Sequence, residues 1–189
     1  MRGGMTGESR RLTLRMLTRD DHERLDHLIG PLDSLTGYRR YLSGISAFRV
    51  AAERAVGAAE WPAFLRGWQP AEVSPQMAAD LADLGERMAP CPVMPVPGGP
   101  AGLAGLLYVL EGSALGARVL VRRAGVLGLS GTFGARHLAA QIAAPGTWRT
   151  FTERLDEPAE FDVDSAGQAA REAFRLAFIA MSGAGHEAG

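Results

Sequence analysis

The longest apolar segment of the chain, Leu103–Ala124, contains no proline and predicts a long helix. Leucines at positions 103, 106, 107 and 110 recur at helical spacing, which predicts that the first half packs in a core. In the second half, Gly112 and Gly116 lie on one face, with small residues at 113, 114 and 117 beside them. Each glycine costs a helix about 1 kcal/mol relative to alanine. The pair therefore indicates a close helix–helix contact, a bend, or a flat ligand against the bare face, and the pattern leaves these alternatives open.

An amphipathic pattern near the start of the chain predicts a helix from Arg10 to Ile29. His22 falls on its apolar face, together with Thr18 and Leu25, and is expected on the buried side. Most histidines in such a position are structural core residues, which favours that interpretation for His22 taken alone. Asp26, one turn later, could orient the imidazole through one nitrogen and leave the other free for a metal.

Two arginines precede His22 on the same predicted helix, Arg15 by two turns and Arg19 by one. Either could bind an anionic group near the start of the helix, although such charges usually form a solvated face. His27 lies about 140° round the helix from His22 and is expected to be solvated.

Further helices are predicted along the rest of the chain, and no alternating run of strand length occurs. One helix is expected from about Thr36 to Val56, and a short one after a Ser74-Pro75 cap. The apolar positions of the short helix, which are expected to point inward, are Met77, Leu81, Leu84 and Met88.

Three more helices follow the glycine-bearing segment. The first covers 135–144, where His137 is expected to be structural or solvated. The next begins at Thr147, and the last is capped by Asp162 or Asp164. A proline-rich connector at 89–100 and a glycine-rich turn at 125–134 separate these elements. The predicted fold is all-α: a single compact irregular bundle of six to eight helices over 9–183, with a disordered tail at 1–8 and a loose tail at 184–189.

The composition indicates a globular domain without a bias toward charged partners. The 189 residues are 47% hydrophobic and 22% charged, which suffices for one full core. A net charge of −1 gives no argument for binding nucleic acid or a membrane surface. Charged residues inside Leu103–Ala124 argue against a membrane span. The single cysteine, Cys91, and the lack of a signal-peptide pattern favour a cytoplasmic location.

Several common kinds of active site are not indicated. The four histidines are scattered and the carboxylates form no ExxH set, so a zinc or di-iron site is not expected. No serine occupies a nucleophile elbow. What remains is His22, with a carboxylate one turn away, and one glycine-bearing helix. If the two face each other, they form a slot with a metal ligand on one side and bare backbone on the other, which suits a planar iron macrocycle.

Two segments of the chain resemble the heme oxygenases, in particular the bacterial type that makes biliverdin for bacteriophytochromes. Leu14–Leu25 is similar to the family's segment around its proximal histidine, and His22 falls on that histidine. Tyr108–Gly116 resembles the family's distal-helix signature. A weaker match covers Trp148–Phe151, Leu155 and Phe174, so that order and spacing agree along nearly the whole chain. The resemblance implies an all-α fold of the heme-oxygenase type.

The resemblance also implies roles for individual residues. Heme b would lie between the first helix and the glycine-bearing helix, with His22 on its iron. Gly112 and Gly116 would let the backbone lie close over the heme on the side where O2 binds. Ser113 would occupy the position at which many relatives keep an aspartate that organises distal water. These three positions form the implied catalytic set.

The family further places a basic residue for a heme propionate at Arg15, and Tyr108 would assist there. The implied products are biliverdin, CO and Fe(II), with electrons from a ferredoxin or reductase and a bacteriophytochrome as a candidate acceptor of the bilin. The alternative is a non-enzymatic sensor or carrier of heme or bilin. Ala117 departs from the pattern, because relatives usually carry a second glycine there. Its methyl group would narrow the distal pocket or tilt the helix.

Overall fold

The structure is a computed structural model that describes residues 9–143 and 147–184. Within these residues the chain forms eight α-helices and no strand beyond isolated bridges in 130–134. The helices are α1 (Arg10–Leu17), α2 (Arg19–Ile29), α3 (Leu35–Gly57), α4 (Ser74–Leu84), α5 (Gly99–Val126), α6 (Arg136–Ala143), α7 (Thr147–Leu155) and α8 (Val163–Gly183). A short 3-10 turn, Ala63–Leu65, precedes α4. The all-α prediction is confirmed. The tail expected at 1–8 lies outside the described residues, as does the tail expected at 184–189 apart from Ala184.

The helix predicted from Arg10 to Ile29 is divided in two, so that prediction was wrong. Thr18 ends α1, and its hydroxyl donates a hydrogen bond of 2.8 Å to the carbonyl of Leu14. Threonine in a helix competes in this way with the backbone for its own acceptors, which bends or ends the helix. The carbonyl of Thr18 then accepts the amide of His22 at 3.0 Å, so α2 begins at once.

The first half of α5 is the centre of the core. Its leucines at 103, 106, 107 and 110 are buried, as their spacing predicted. Gly105 lies against α8 so closely that a Cβ atom there would be 2.2 Å from the carbonyl oxygen of Ala166. Among the described helices, α5 is also the one long and apolar enough to cross a membrane by length and composition alone. Its buried leucines show that it is the central helix of the bundle.

Two details of α4 differ from the prediction. Ser74 is the first residue of the helix and not its cap, because its hydroxyl is bound by the Glu53 carboxylate. Met88 is exposed and not inward, because Gly85 adopts a left-handed conformation (φ 64°) that ends α4 at Leu84. The cap of α8 is Asp162, whose carboxylate accepts the amide of Ser165 at 2.9 Å.

A buried polar junction joins α4 to the start of α6. Asp80 is fully buried and accepts the backbone amides of Arg136 and His137 at 2.9 and 3.0 Å. Asp83 binds the Arg136 guanidinium and accepts the Gly134 amide at 2.8 Å. His137 is buried at this junction and is therefore not solvated. The bonds from Arg136 and Gly134 hold the pKa of Asp83 below its usual value.

We expect this junction to make the fold sensitive to acid. A carboxylate whose pKa is lowered by folding stabilises the protein above its unfolded pKa, about 3.9 for aspartate, and that contribution is lost as the pH falls through the folded value. Urea unfolding should therefore give a lower free energy of unfolding at about pH 3 than at about pH 6. In Asp83→Asn, the free energy of unfolding should differ less between these two pH values. Equal pH dependence in the variant and the wild type would contradict this assignment.

Candidate functional site

A cleft runs between α2 and the second half of α5. It consists of an inner cavity of about 520 Å³ and an outer cavity of about 550 Å³. Both are in the size range of small-molecule sites. The two cavities share part of their walls, and the residues common to both are His22, Val109, Gly112 and Ser113. The histidine and the glycine-bearing face singled out in the sequence therefore meet in one cleft.

His22 borders the cleft and is not buried, contrary to the expectation from the helical pattern. Its side chain is 61% exposed, and its ring packs edge-on against Phe174 with centroids 5.7 Å apart. Its Nδ1 lies 3.1 Å from Asp26 Oδ2, the contact that the spacing predicted. Its Nε2 makes no hydrogen bond with any described residue. Asp26 can thus fix the orientation of an imidazole whose other nitrogen is free.

The glycines of α5 differ in what lies next to them. A Cβ atom at Gly116 would have no neighbour within 4 Å, and one at Gly112 would only touch the Trp148 ring at 3.5 Å. The close helix–helix contact proposed as one explanation of this pair occurs instead at Gly105. The helix continues unbroken through both glycines. Both glycines line the cleft, with open space at Gly116 and the Trp148 ring beside Gly112, which favours a ligand there among the three alternatives.

Ser113 and Ala117 lie one turn apart on α5 and differ in their exposure. Ser113 lines both cavities, and its hydroxyl donates to the carbonyl of Leu110 at 2.6 Å. The guanidinium of Arg49 donates to the same carbonyl at 3.1 Å. Ala117 is fully buried and belongs to the lining of neither cavity. Its methyl group therefore packs in the core and does not narrow the cleft.

The outer cavity has a basic rim. Arg11, Arg15 and Arg19 line it, and Tyr108 forms part of its wall beside Trp148, with ring centroids 5.5 Å apart. Burial raises the pKa of the Tyr108 hydroxyl, so the phenol is neutral and can donate a hydrogen bond. The structure thus brings the predicted residues Arg15 and Tyr108 together at the mouth of the cleft, where positive charge would attract carboxylates.

Several residues of the inner cavity were missed by the sequence analysis as part of a site. They come from three helices and from the end of α5, and they include Tyr41, Arg49, Met77, Arg123 and Gln141. Their sequence signal is that of ordinary core or surface positions, because only tertiary packing brings these helices together. Within the described residues no three side chains of His, Cys, Asp or Glu are grouped to hold a metal ion.

Known proteins resemble this chain in sequence and in structure. The chain is 31% identical to heme oxygenase PigA of Pseudomonas aeruginosa, over 85% of each protein. This chain belongs to the heme oxygenase family. The heme oxygenase of Neisseria meningitidis, known from crystal structures of its NO- and CO-bound forms, has a similar fold, with a TM-score of 0.76 and 29% identity. The similarity covers 95% of this heme oxygenase and 94% of the Neisseria chain. No protein-family model matches the sequence.

These similarities confirm the family identified from two short segments of the sequence. They also confirm the fold implied by that resemblance.

Proposed function

We propose that this heme oxygenase binds heme b in the cleft between α2 and α5, with His22 as the iron ligand, and cleaves it with O2 to biliverdin, CO and Fe(II). The observation that carries the proposal is that His22 and the bare face at Gly112 and Gly116 line the same inner cavity. A planar ligand between them would contact an imidazole on one side and helix backbone on the other.

The cleft fits heme by its chemistry. One imidazole nitrogen is held by Asp26 and the other is without a hydrogen-bond partner among the described residues, as an iron ligand requires. The walls carry apolar side chains on both sides of the gap, from Leu25 on α2 to Val109 and Leu120 on α5. When bound, the heme supplies the iron at which O2 is reduced and the ring that is cleaved.

The other residues position the substrate and hold water. The propionates carry negative charge, and Arg15, with Arg11 and Tyr108 beside it, offers donors for them at the outer cavity. Gly116 leaves room over the ring, since no atom of the protein occupies the space that a side chain would fill. Ser113 keeps lone pairs that can accept from water, because its hydroxyl hydrogen is directed to Leu110.

The partners of the reaction are proposed from the motifs that resemble the bacteriophytochrome-associated type. The protein would receive electrons from a ferredoxin or reductase and deliver biliverdin to a bacteriophytochrome. The single cysteine, Cys91, which is exposed and unpaired, is consistent with work in the reducing cytoplasm.

A reductant-driven spectrum tests the function. Hemin added to the purified protein should give a saturable Soret band. Ascorbate or a ferredoxin system should then convert that band to the absorption of biliverdin, with CO trapped by ferrous myoglobin and Fe(II) by a chelator. Catalase should leave the reaction intact, which separates it from oxidation by free peroxide. A stable heme spectrum under reduction would contradict the proposal and identify a carrier or sensor.

A further inference from the structure

Behind the inner end of the cleft lies a second layer of polar residues. Residues of three helices line the cavity there, among them Tyr41 of α3, Met77 of α4 and Gln141 of α6. About one helical turn from these on the same helices lie three fully buried polar residues: Tyr38, Asp80 and His137. The second layer is therefore directly adjacent to the lining, and the function described above leaves it without a role.

Asp80 sets the hydrogen-bonding pattern of His137. Its Oδ2 lies 2.8 Å from His137 Nδ1, and its oxygens also accept the two backbone amides at the start of α6. Although burial acts in the opposite direction, these bonds hold the pKa of Asp80 below its usual value, so it is a carboxylate. Because a carboxylate only accepts, Nδ1 carries the hydrogen, and in that tautomer Nε2 is an acceptor.

That acceptor has no partner within the part of the chain that the structure describes. Nε2 of His137 is buried and makes no hydrogen bond. The Tyr41 ring lies beside it, with centroids 6.1 Å apart. The Tyr41 hydroxyl and the Gln141 amide, which line the cavity, likewise form no side-chain bond to another described residue. An unpaired buried acceptor is unfavourable, and a water among several polar groups relieves that cost.

We propose that His137 Nε2 holds a buried water at the inner end of the cleft, and that this water joins Tyr41 and Gln141 in a hydrogen-bonded path for protons. The proposal rests on the function proposed above, because reduction of O2 consumes protons. His137 is a positioning residue in this path: it orients the water, and Asp80 fixes its tautomer. Tyr41 and Gln141, which line the cavity, are the links to the reacting groups.

Two substitutions of His137 separate this role from a structural one. Asparagine places its amide nitrogen near the position of Nδ1, so His137→Asn keeps the bond to Asp80 and loses the water site. Glutamine reaches the position of Nε2, so His137→Gln keeps a polar group at the water site and loses the contact with Asp80. If His137 were purely structural, asparagine would preserve the activity better than glutamine. If His137 holds the water of the proton path, glutamine should preserve the activity better than asparagine.

The measurement is the rate of heme loss and the ratio of biliverdin to hydrogen peroxide, in proteins that show the wild-type Soret band with hemin. We expect His137→Gln to stay near the wild-type rate. His137→Asn should fall about tenfold, with more peroxide released, because a positioned proton donor contributes 10²–10⁴-fold and a residue acting through water less. Tyr41→Phe, which keeps the packed ring, should resemble His137→Asn. The reverse order of the two His137 variants, or wild-type behaviour of Tyr41→Phe, would overturn the path.

A second measurement on the heme-free protein does not depend on activity. Nitrogen-15 NMR of labelled histidine should show His137 with a hydrogen on Nδ1 and with Nε2 shifted as a hydrogen-bonded acceptor. A ring with its hydrogen on Nε2, or a free acceptor, would rule out the water site. Failure of the wild-type protein to degrade heme would overturn the proposed function and the path with it, while the water site would still be decided by the NMR result.

Discussion

His22→Ala is expected to abolish reductant-driven conversion of heme to biliverdin. The substitution removes the one imidazole among the described residues that line the two cavities. Loss of only the hydrogen-bond partner of a metal ligand costs about 10–100-fold in affinity or activity, so loss of the ligand should cost at least roughly 100-fold in hemin affinity. Titration of hemin, followed by the Soret band, measures this directly.

The chain provides a matched control for this substitution. His27 lies on the same helix, is exposed and belongs to the lining of neither cavity of the cleft. His27→Ala should therefore bind and degrade hemin like the wild type. The hemin affinity and activity of Asp26→Asn should lie between those of His22→Ala and His27→Ala, since this substitution changes the partner of Nδ1 without removing the ligand.

Added imidazole sharpens the test. The cleft is open enough to leave the His22 side chain 61% exposed, so free imidazole can enter His22→Ala and restore part of the Soret band. Full activity of His22→Ala, or an equal loss in His27→Ala, would contradict the assignment of His22 as the iron ligand.

The helical pattern predicted where the helices lie but not which apolar face borders a cavity. The residues on the His22 side of α2 have the spacing of a buried face, and Leu25 is indeed buried. The wall of a site for an apolar ligand has the same composition as a core, because both exclude water. The sequence therefore predicted burial for His22, whereas the folded chain leaves a cleft there.

The glycines of α5 show a similar limit. Gly105, Gly112 and Gly116 all lie within one apolar helix, and sequence spacing drew attention only to the last two. Only the folded structure shows that the close contact with α8 is at Gly105 and that Gly116 faces open space. Residues such as Gln141 could not be assigned to the site, because their distance from His22 depends on how separate helices pack.

Gly105→Ala and Gly116→Ala should therefore have opposite effects on the stability of the heme-free protein. A Cβ atom at Gly105 would overlap a backbone carbonyl oxygen, which cannot move unless α5 and α8 separate. Overpacking of this kind costs about 3 kcal/mol. That corresponds to a melting temperature lower by about 6–12 °C in a chain of this length. At Gly116 nothing obstructs the methyl group, so the gain in helix propensity of up to about 1 kcal/mol should raise the melting temperature by about 2–4 °C.

Heme binding should be the weaker in Gly116→Ala, although this is the more stable of the two variants. This difference links the stability measurement to the site. The methyl group of Gly116→Ala would project into the space proposed for the heme, so hemin affinity and turnover should fall by roughly tenfold while the fold becomes more stable. Gly125→Ala is the matched control, because Gly125 is also in α5 with no neighbour within 4 Å but lies outside the cleft. It should gain stability without loss of hemin binding. If Gly116→Ala bound and degraded hemin as well as Gly125→Ala does, the bare face of α5 would not be the surface that contacts the heme.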